Sequence, residues 1–111
     1  MIHSTQTTTF TQQGDNLLID LLDSDTFSVQ VLVSGDWVGG INFEGSLDGV
    51  TWFGVQMESV EDDTKPTWTA ASGLWCSLAA TYLRYARFIV ADYTSGTADV
   101  VACSSRVAGT S

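Results

Sequence analysis

Apolar and polar residues alternate with a period of two along much of this chain. The clearest case runs from Thr26 to Val33, where Phe27, Val29 and Val31 are separated by single residues. Successive side chains of a β-strand point to opposite faces of the sheet. The pattern therefore predicts a strand with one apolar face directed into a core.

A β-hairpin is predicted over residues 41–55 (INFEGSLDGVTWFGV). Ile41 and Phe43 share one face of the first strand, and polar residues occupy the other face. The chain then reverses at Ser46–Gly49, where an Asp-Gly pair accepts the positive φ angles that a tight turn requires. Nothing in this hairpin indicates catalysis.

The same pattern predicts further strands near 7–11 and over 16–22, 37–45, 68–71, 74–78, 82–91 and 97–104. Residues 17–22 (LLIDLL) would also suit a helical turn, but the Gly and Asp residues on either side favour a short strand. Gly39-Gly40 predicts a bulge or bend. Turn residues at 92–96 and an acidic, proline-containing segment at 58–66 predict a turn and an exposed loop.

These elements predict an all-β fold, an antiparallel β-sandwich or jelly-roll-like single domain. The 111 residues are enough for one core, and 44% hydrophobic with 15% charged residues argues against disorder. We expect residues 13–111 to form the sandwich and the polar residues 1–12 to form an N-terminal arm. Such an arm would either fray or add a strand to the sheet edge of a neighbour.

The charge balance excludes a nucleic-acid-binding role. Thirteen acidic residues against four Lys and Arg give a formal net charge of −9 and a pI near 4.1. Phosphate backbones are held by clustered cations, and here the cations are few and scattered. No signal peptide or membrane-spanning stretch is present in the sequence, so we expect synthesis in a cytoplasm and no membrane contact.

The sequence offers few residues for catalysis or metal binding. We therefore expect no enzyme activity and no cofactor. Cys76 and Cys103 lie in apolar surroundings and are predicted to stay reduced and structural. His3 is the only histidine, which leaves neither cysteine with an evident base and provides no zinc set.

One acidic cluster, in the 58–66 segment, has two interpretations. Its carboxylates could bind calcium through several oxygens on a flexible loop, or they could simply be solvated. The spacing matches no EF-hand loop, which favours the solvated interpretation. The cluster consists of Glu58, Glu61, Asp62 and Asp63.

Five residues are candidates for contacts with a partner or a glycan. Trp37 lies in a Gly-rich setting from which a ring could project, whereas packing in the core or at a subunit contact is expected for the other tryptophans. Arg84 and Arg87 are predicted on opposite faces of one strand, one pairing internally and the other reaching a neighbouring subunit. Thr8 and Phe10 are the candidates in the N-terminal arm.

Several turn and core segments resemble those of small β-sandwich proteins in tailed-phage virions, such as head decoration (cement) proteins. The resemblance covers about Thr26 to Ser105 and consists of structural residues rather than a functional signature. It is carried by Glu44-Gly45-Ser46, Asp48-Gly49, Thr51-Trp52, Leu83-Arg84-Tyr85-Ala86-Arg87 and Tyr93-Thr94-Ser95-Gly96-Thr97.

The resemblance implies a virion protein at the capsid surface. Its partner would be the major capsid protein, and the chain would form a homo-oligomer, with a trimer favoured. Binding to the assembled head would stabilise the head by mass action. A tail or neck accessory protein is the alternative within the same particle.

A second resemblance competes for the same residues. The Ser-x-Asp-Gly-x-Thr-Trp segment followed by an Arg-Tyr-x-Arg strand is similar to discoidin-type carbohydrate-binding jelly rolls. Those modules are usually longer and often carry a terminal disulfide, so this chain departs from their pattern. The alternative function is therefore a glycan-binding or host-attachment module.

Overall fold

The computed structural model describes residues 2–22, 24–62, 64–77 and 83–106. This described part is all β, with ten strands and no helix. The strands are β1 (Ile2–Phe10), β2 (Asn16–Asp20), β3 (Thr26–Val33), β4 (Val38–Ser46), β5 (Phe53–Gly54), β6 (Glu58–Ser59), β7 (Trp68–Thr69), β8 (Gly73–Ser77), β9 (Tyr85–Ser95) and β10 (Ala98–Arg106).

Two antiparallel sheets form a sandwich, which confirms the predicted fold class. The first sheet has the strand order β1-β10-β3-β8-β6, and the second has the order β2-β9-β4-β5, with β7 also paired to β4. Most pairings join strands that are distant in sequence. The longest such pairing places β1 beside β10, with Ile2 opposite Arg106 and Phe10 opposite Ala98.

The core lies between the two sheets and is built from the predicted alternating positions. On β3, Phe27, Val29 and Val31 are buried, and Ile41 and Phe43 are buried on β4. Aromatic rings connect the layers, since the Phe43 ring centroid lies 5.3 Å from that of Trp75 in the first sheet, and the Phe27 ring centroid lies 6.4 Å from that of Phe88 in the second. The period-two pattern thus identified the buried faces correctly.

The predicted hairpin is present, but its second strand is short. β5 contains two residues and pairs Gly54 with Glu44 and Phe53 with Gly45. Residues 47–52 form a loop rather than continuing the strand. The reason is local, because the Asp48 carboxylate accepts hydrogen bonds from the backbone N–H groups of Val50 and Thr51 and holds them away from a ladder.

The predicted bulge and the predicted turn had different outcomes. The Gly39-Gly40 bulge is confirmed, because the pairing of β4 with β9 shifts register on both sides of this pair. The turn predicted at 92–96 is wrong for most of its length, because β9 continues to Ser95. The reversal comes at Gly96, whose φ of 88° suits glycine.

The segment predicted as an arm contains β1. Strand β1 pairs with β10 of its own chain over its whole length, and Phe10 at its end is completely buried. It is longer than the strand predicted near 7–11. The 58–66 segment likewise contains a strand, since β6 pairs with β8 and Ser59 is buried.

Candidate functional site

A largely apolar groove of about 600 Å³ opens at one end of the sandwich, beside the β4–β5 loop. Its walls come from the end of β4, from the loop, from β5 and from the segment preceding β9. The lining residues are Gly45, Ser46, Leu47, Asp48, Thr51, Phe53, Gly54, Val55 and Leu83. We call this feature the end groove.

The end groove owes its floor to a missing side chain. A Cβ atom at Gly45 would lie 2.7 Å from Leu83 Cδ1 and 2.8 Å from Val55 Cγ2. At such distances Leu83 and Val55 would have to shift, because their side chains occupy the space that a larger residue at position 45 would fill. The floor is therefore apolar, and it depends on a glycine.

Large apolar side chains at the groove are left in solvent. Leu47 is 70% exposed and Phe53 is 69% exposed, and Val50 in the same loop is 80% exposed. Isolated exposed apolar residues are ordinary on protein surfaces, but clusters beside a concave site mark interaction surfaces. This cluster is the strongest candidate contact surface in the described part of the chain.

The loop that presents these side chains is held by hydrogen bonds rather than by packing. Asp48 Oδ1 accepts bonds from Val50 N and Thr51 N at 2.8 Å each, and Ser46 Oγ accepts one from Gly49 N at 2.9 Å. The backbone N–H groups of Thr51 and then Val50, together with the Ser46 hydroxyl, lower the pKa of the Asp48 carboxyl below its ordinary value. The charged form of Asp48 thus fixes the loop.

Both candidate arginines pair within the chain, and the contact of one of them with a neighbouring subunit stays a prediction. Arg87 donates to Glu44 Oε1 at 2.7 Å, and its guanidinium lies 4.3 Å from the ring centroid of Trp52. Arg84, just before β9, pairs with Asp20 and lies 4.6 Å from the Tyr85 ring centroid. These contacts tie β4 and β2 to the β9 region.

The other three candidates are buried or half-buried. Trp37 is only 9% exposed and packs edge-on against Tyr93 at 5.8 Å, so it does not project toward a partner as predicted. Its Nε1 has no hydrogen-bond partner in the described part of the chain. Phe10 is in the core, which corrects its prediction as a contact residue, and Thr8 is half-buried on β1.

The exposed tryptophan is instead Trp68, which the sequence did not single out. It is 55% exposed and lies opposite Asn42 in the pairing of β7 with β4. A Cβ atom at Gly40 would lie 3.7 Å from the Trp68 ring and 4.0 Å from Asp92 Oδ2. These are ordinary contact distances, so Gly40 lies against the ring without being required by it, and no local sequence signal identifies Trp68 as exposed.

The acidic 58–66 segment shows local hydrogen bonding. Asp62 Oδ1 accepts bonds from the hydroxyl and the backbone N–H of Thr64, and both lower the pKa of this carboxyl. Within residues 2–22, 24–62, 64–77 and 83–106, no three His, Cys, Asp or Glu side chains are grouped to hold a metal ion. Asp63 of the predicted cluster lies outside the described residues.

Both cysteines lie in strands of the first sheet. Cys76 and Cys103, both in the described part, are half-buried and form no disulfide. They lie on β8 and β10, each opposite Ser28 of the intervening β3. None of the described residues forms a helix long and apolar enough to cross a membrane.

Comparisons with known proteins establish the fold. No protein-family model matches the sequence, and no curated protein matches it. The structure is similar to that of SPBc2 prophage-derived protein YomS, with a TM-score of 0.72 at 15% identity over 95% of this chain and 96% of YomS. It is also similar to PBSX exported protein XepA, with a TM-score of 0.71 at 13% identity.

The match covers different shares of the two neighbouring proteins. The match covers 94% of this chain but 39% of XepA, so the present sandwich corresponds to less than half of that protein's length. At 13–15% identity the likeness establishes a shared fold alone. The two neighbours are therefore solved examples of the same sandwich fold.

Proposed function

We propose that this protein is a structural component of a phage virion, and specifically a capsid decoration protein. It would bind the outer surface of the assembled head through the major capsid protein. No catalytic step is assigned to it. The observation that carries the proposal is the end groove, whose apolar lining includes the exposed Leu47 and Phe53, with Val50 exposed in the same loop as Leu47.

On an acidic chain, an exposed apolar cluster marks a surface that a partner can bind. A net charge of −9 disfavours non-specific association, so contacts must come from localised apolar surface with a matching partner. Many copies on a capsid lattice turn weak individual contacts into stable coverage. The similarity to a prophage-derived protein, SPBc2 YomS, supports a phage source for this chain.

Co-sedimentation with expanded, undecorated capsids of the source phage tests the proposal. Wild-type protein should bind saturably, and Phe53→Ser should reduce binding by about tenfold or more, as loss of a central apolar anchor does. Leu32→Ser is the matched control, because Leu32 is 59% exposed on β3 of the other sheet. Capsids that stay bare while tails or necks carry the protein would contradict decoration and support a tail accessory role.

A glycan-binding or host-attachment module is the second candidate. The favouring observation is the exposed Trp68 ring beside Asn42 and Asp92, since sugars stack on aromatic rings and bond to carboxylate and amide groups. On a glycan array Trp68→Ala should abolish binding and Phe53→Ser should preserve it. If the wild-type protein binds no glycan on the array, the glycan-binding function is contradicted.

A further inference from the structure

The two sheets end in edge strands of very different character. In the described part of the chain, β5 and β6 contain two residues each, and β7, which pairs with β4 as β5 does, also contains two. Strand β2 is five residues long and carries Asp20, which pairs with Arg84. Short edges and charged edges both discourage pairing with another chain.

Strand β1 has none of these protections. It is nine residues long (IHSTQTTTF) and contains no Asp, Glu, Lys, Arg or Pro. Its pairing with β10 runs without a register shift from Ile2 to Phe10, so no bulge twists it away. As the terminal strand of the first sheet, β1 presents a row of backbone N–H and C=O groups that no described strand pairs.

The charge distribution indicates which partner can pair with the free edge of β1. Each chain carries a net charge of −9, which opposes the approach of a second copy over most of its surface. Residues 1–14 contain none of the thirteen acidic residues, so β1 itself carries no carboxylate that would oppose pairing with its copy. A basic partner would be drawn instead to the acidic segments elsewhere on the chain.

The side chains of β1 also suit pairing with an identical strand. Ser4, Thr5, Gln6 and Thr7 are all exposed, so neither face of an extended sheet at these residues has to be covered by another layer. Cross-strand Thr pairs stabilise antiparallel sheets. A strand meeting its own copy in antiparallel orientation is self-complementary, and the resulting two-fold contact closes without leading to a filament.

We propose that two copies of this protein pair antiparallel through their β1 strands, which joins two five-stranded sheets into one continuous sheet across a two-fold axis. Full overlap of Ile2–Phe10 places Gln6 on the axis and Thr5 of one copy opposite Thr7 of the other. This pairing of β1 with its copy does not depend on which particle or ligand the protein binds.

Sedimentation velocity of the full chain over a range of concentrations tests the proposal. The weight-average mass of the wild-type protein should rise from 11.9 kDa toward twice that value. The double variant Thr5→Lys/Thr7→Lys should stay monomeric, because like charges would then face each other across the axis. This double variant also has a lower net negative charge than the wild type. If overall repulsion between copies controlled association, the variant would therefore dimerise more strongly than the wild type, not less.

Two controls make the outcome decisive. Thr94→Lys/Thr97→Lys changes the charge equally at exposed positions outside β1 and should leave the dimer intact. In a Cys76→Ser/Cys103→Ser background, Gln6→Cys should oxidise to a disulfide-linked dimer, whereas Thr94→Cys should not. A wild-type chain that remains monomeric to about 1 mM, forms a trimer, or dimerises despite the β1 lysines would overturn the proposal.

Discussion

At the scale of single residues, two glycines share one backbone conformation in different surroundings. Gly14 and Gly96 both have φ of 88°. A Cβ atom at Gly14 would meet nothing within 4 Å, whereas at Gly96 it would lie 2.5 Å from Trp37 Cα. The pair therefore separates the cost of left-handed backbone from the cost of a clash.

We predict that Gly14→Ala lowers the free energy of unfolding by about 1–2 kcal/mol through backbone strain. Gly96→Ala should lower it by about 1–3 kcal/mol more, because the backbone of Trp37 has to move. Urea unfolding monitored by tryptophan fluorescence measures both. Equal losses would show that the Gly96 turn relaxes freely.

Asp48 makes stability depend on pH in a defined direction. Its pKa in the folded protein is lowered, first by the Thr51 N–H and then by the Val50 N–H, so the charged form is favoured on folding. This stabilisation is fully present above the ordinary carboxyl pKa, about 3.9, and is lost as pH falls through the lowered value. Asparagine at 48 keeps the side-chain oxygen but not the charge.

We expect Asp48→Asn to be less stable than the wild type at pH 6 and equally stable near pH 2. Thermal unfolding at fixed salt, repeated across this range, gives the comparison. A difference that persists undiminished at low pH would show that Asp48 acts through its shape rather than its charge.

The candidate site was harder to predict at this scale than the core. Alternation identified Phe27, Ile41 and Phe43 as buried because burial has a period. Nothing in the local sequence distinguishes the exposed Trp68 from the buried Trp37, since their exposure is set by strands distant in sequence. Trp37 is covered by Tyr93, and that contact follows from the β4–β9 pairing.

At the scale of elements, two ion pairs join strands of the second sheet with different degrees of burial. Arg87 and Glu44 are both mostly buried and connect β9 to β4, with Trp52 stacked on the guanidinium. Arg84 and Asp20 connect the start of β9 to β2 and are more exposed. Solvent screening weakens the second pair.

We predict that Arg87→Ala lowers the free energy of unfolding by about 1–3 kcal/mol, because Glu44 loses its partner in a poorly hydrated position. Arg84→Ala should cost less than about 1 kcal/mol. Urea unfolding of the two variants checks the order. A larger loss at Arg84 would mean that the β2 attachment, not the β4–β9 pair, dominates this sheet.

Element types were predictable, but element ends were less so. The β3 strand and the Gly39-Gly40 bulge follow directly from local chemistry. The extension of β9 through Tyr93 to Ser95 does not, because turn-forming residues there are overridden by pairing with β4. Likewise, the polar composition of β1 suits an arm, and only its pairing with β10 places it in a sheet.

At the scale of the whole molecule, the topology sets the folding rate. Strand β1 pairs with β10, and β3 pairs with both β10 and β8, so the first sheet cannot form until distant segments meet. Closing such long loops has an entropic cost before any contact compensates for it.

We therefore predict folding on the millisecond-to-second scale typical of sandwiches, with no microsecond phase. Stopped-flow dilution from urea, followed by tryptophan fluorescence, measures the rate. Complete folding within the instrument dead time would contradict this prediction and indicate a nucleus made of local hairpins.

The adjacency of β1 and β10 has a consequence for how this sandwich can be combined with other proteins. Ile2 and Arg106 are opposite each other across a single strand pair, so the described chain enters and leaves the fold at one corner. A circular permutant joined there by a short linker and opened in the 47–52 loop should keep the same sheets. For the same reason, the sandwich can be inserted into a surface loop of a host protein without separating the two sides of that loop.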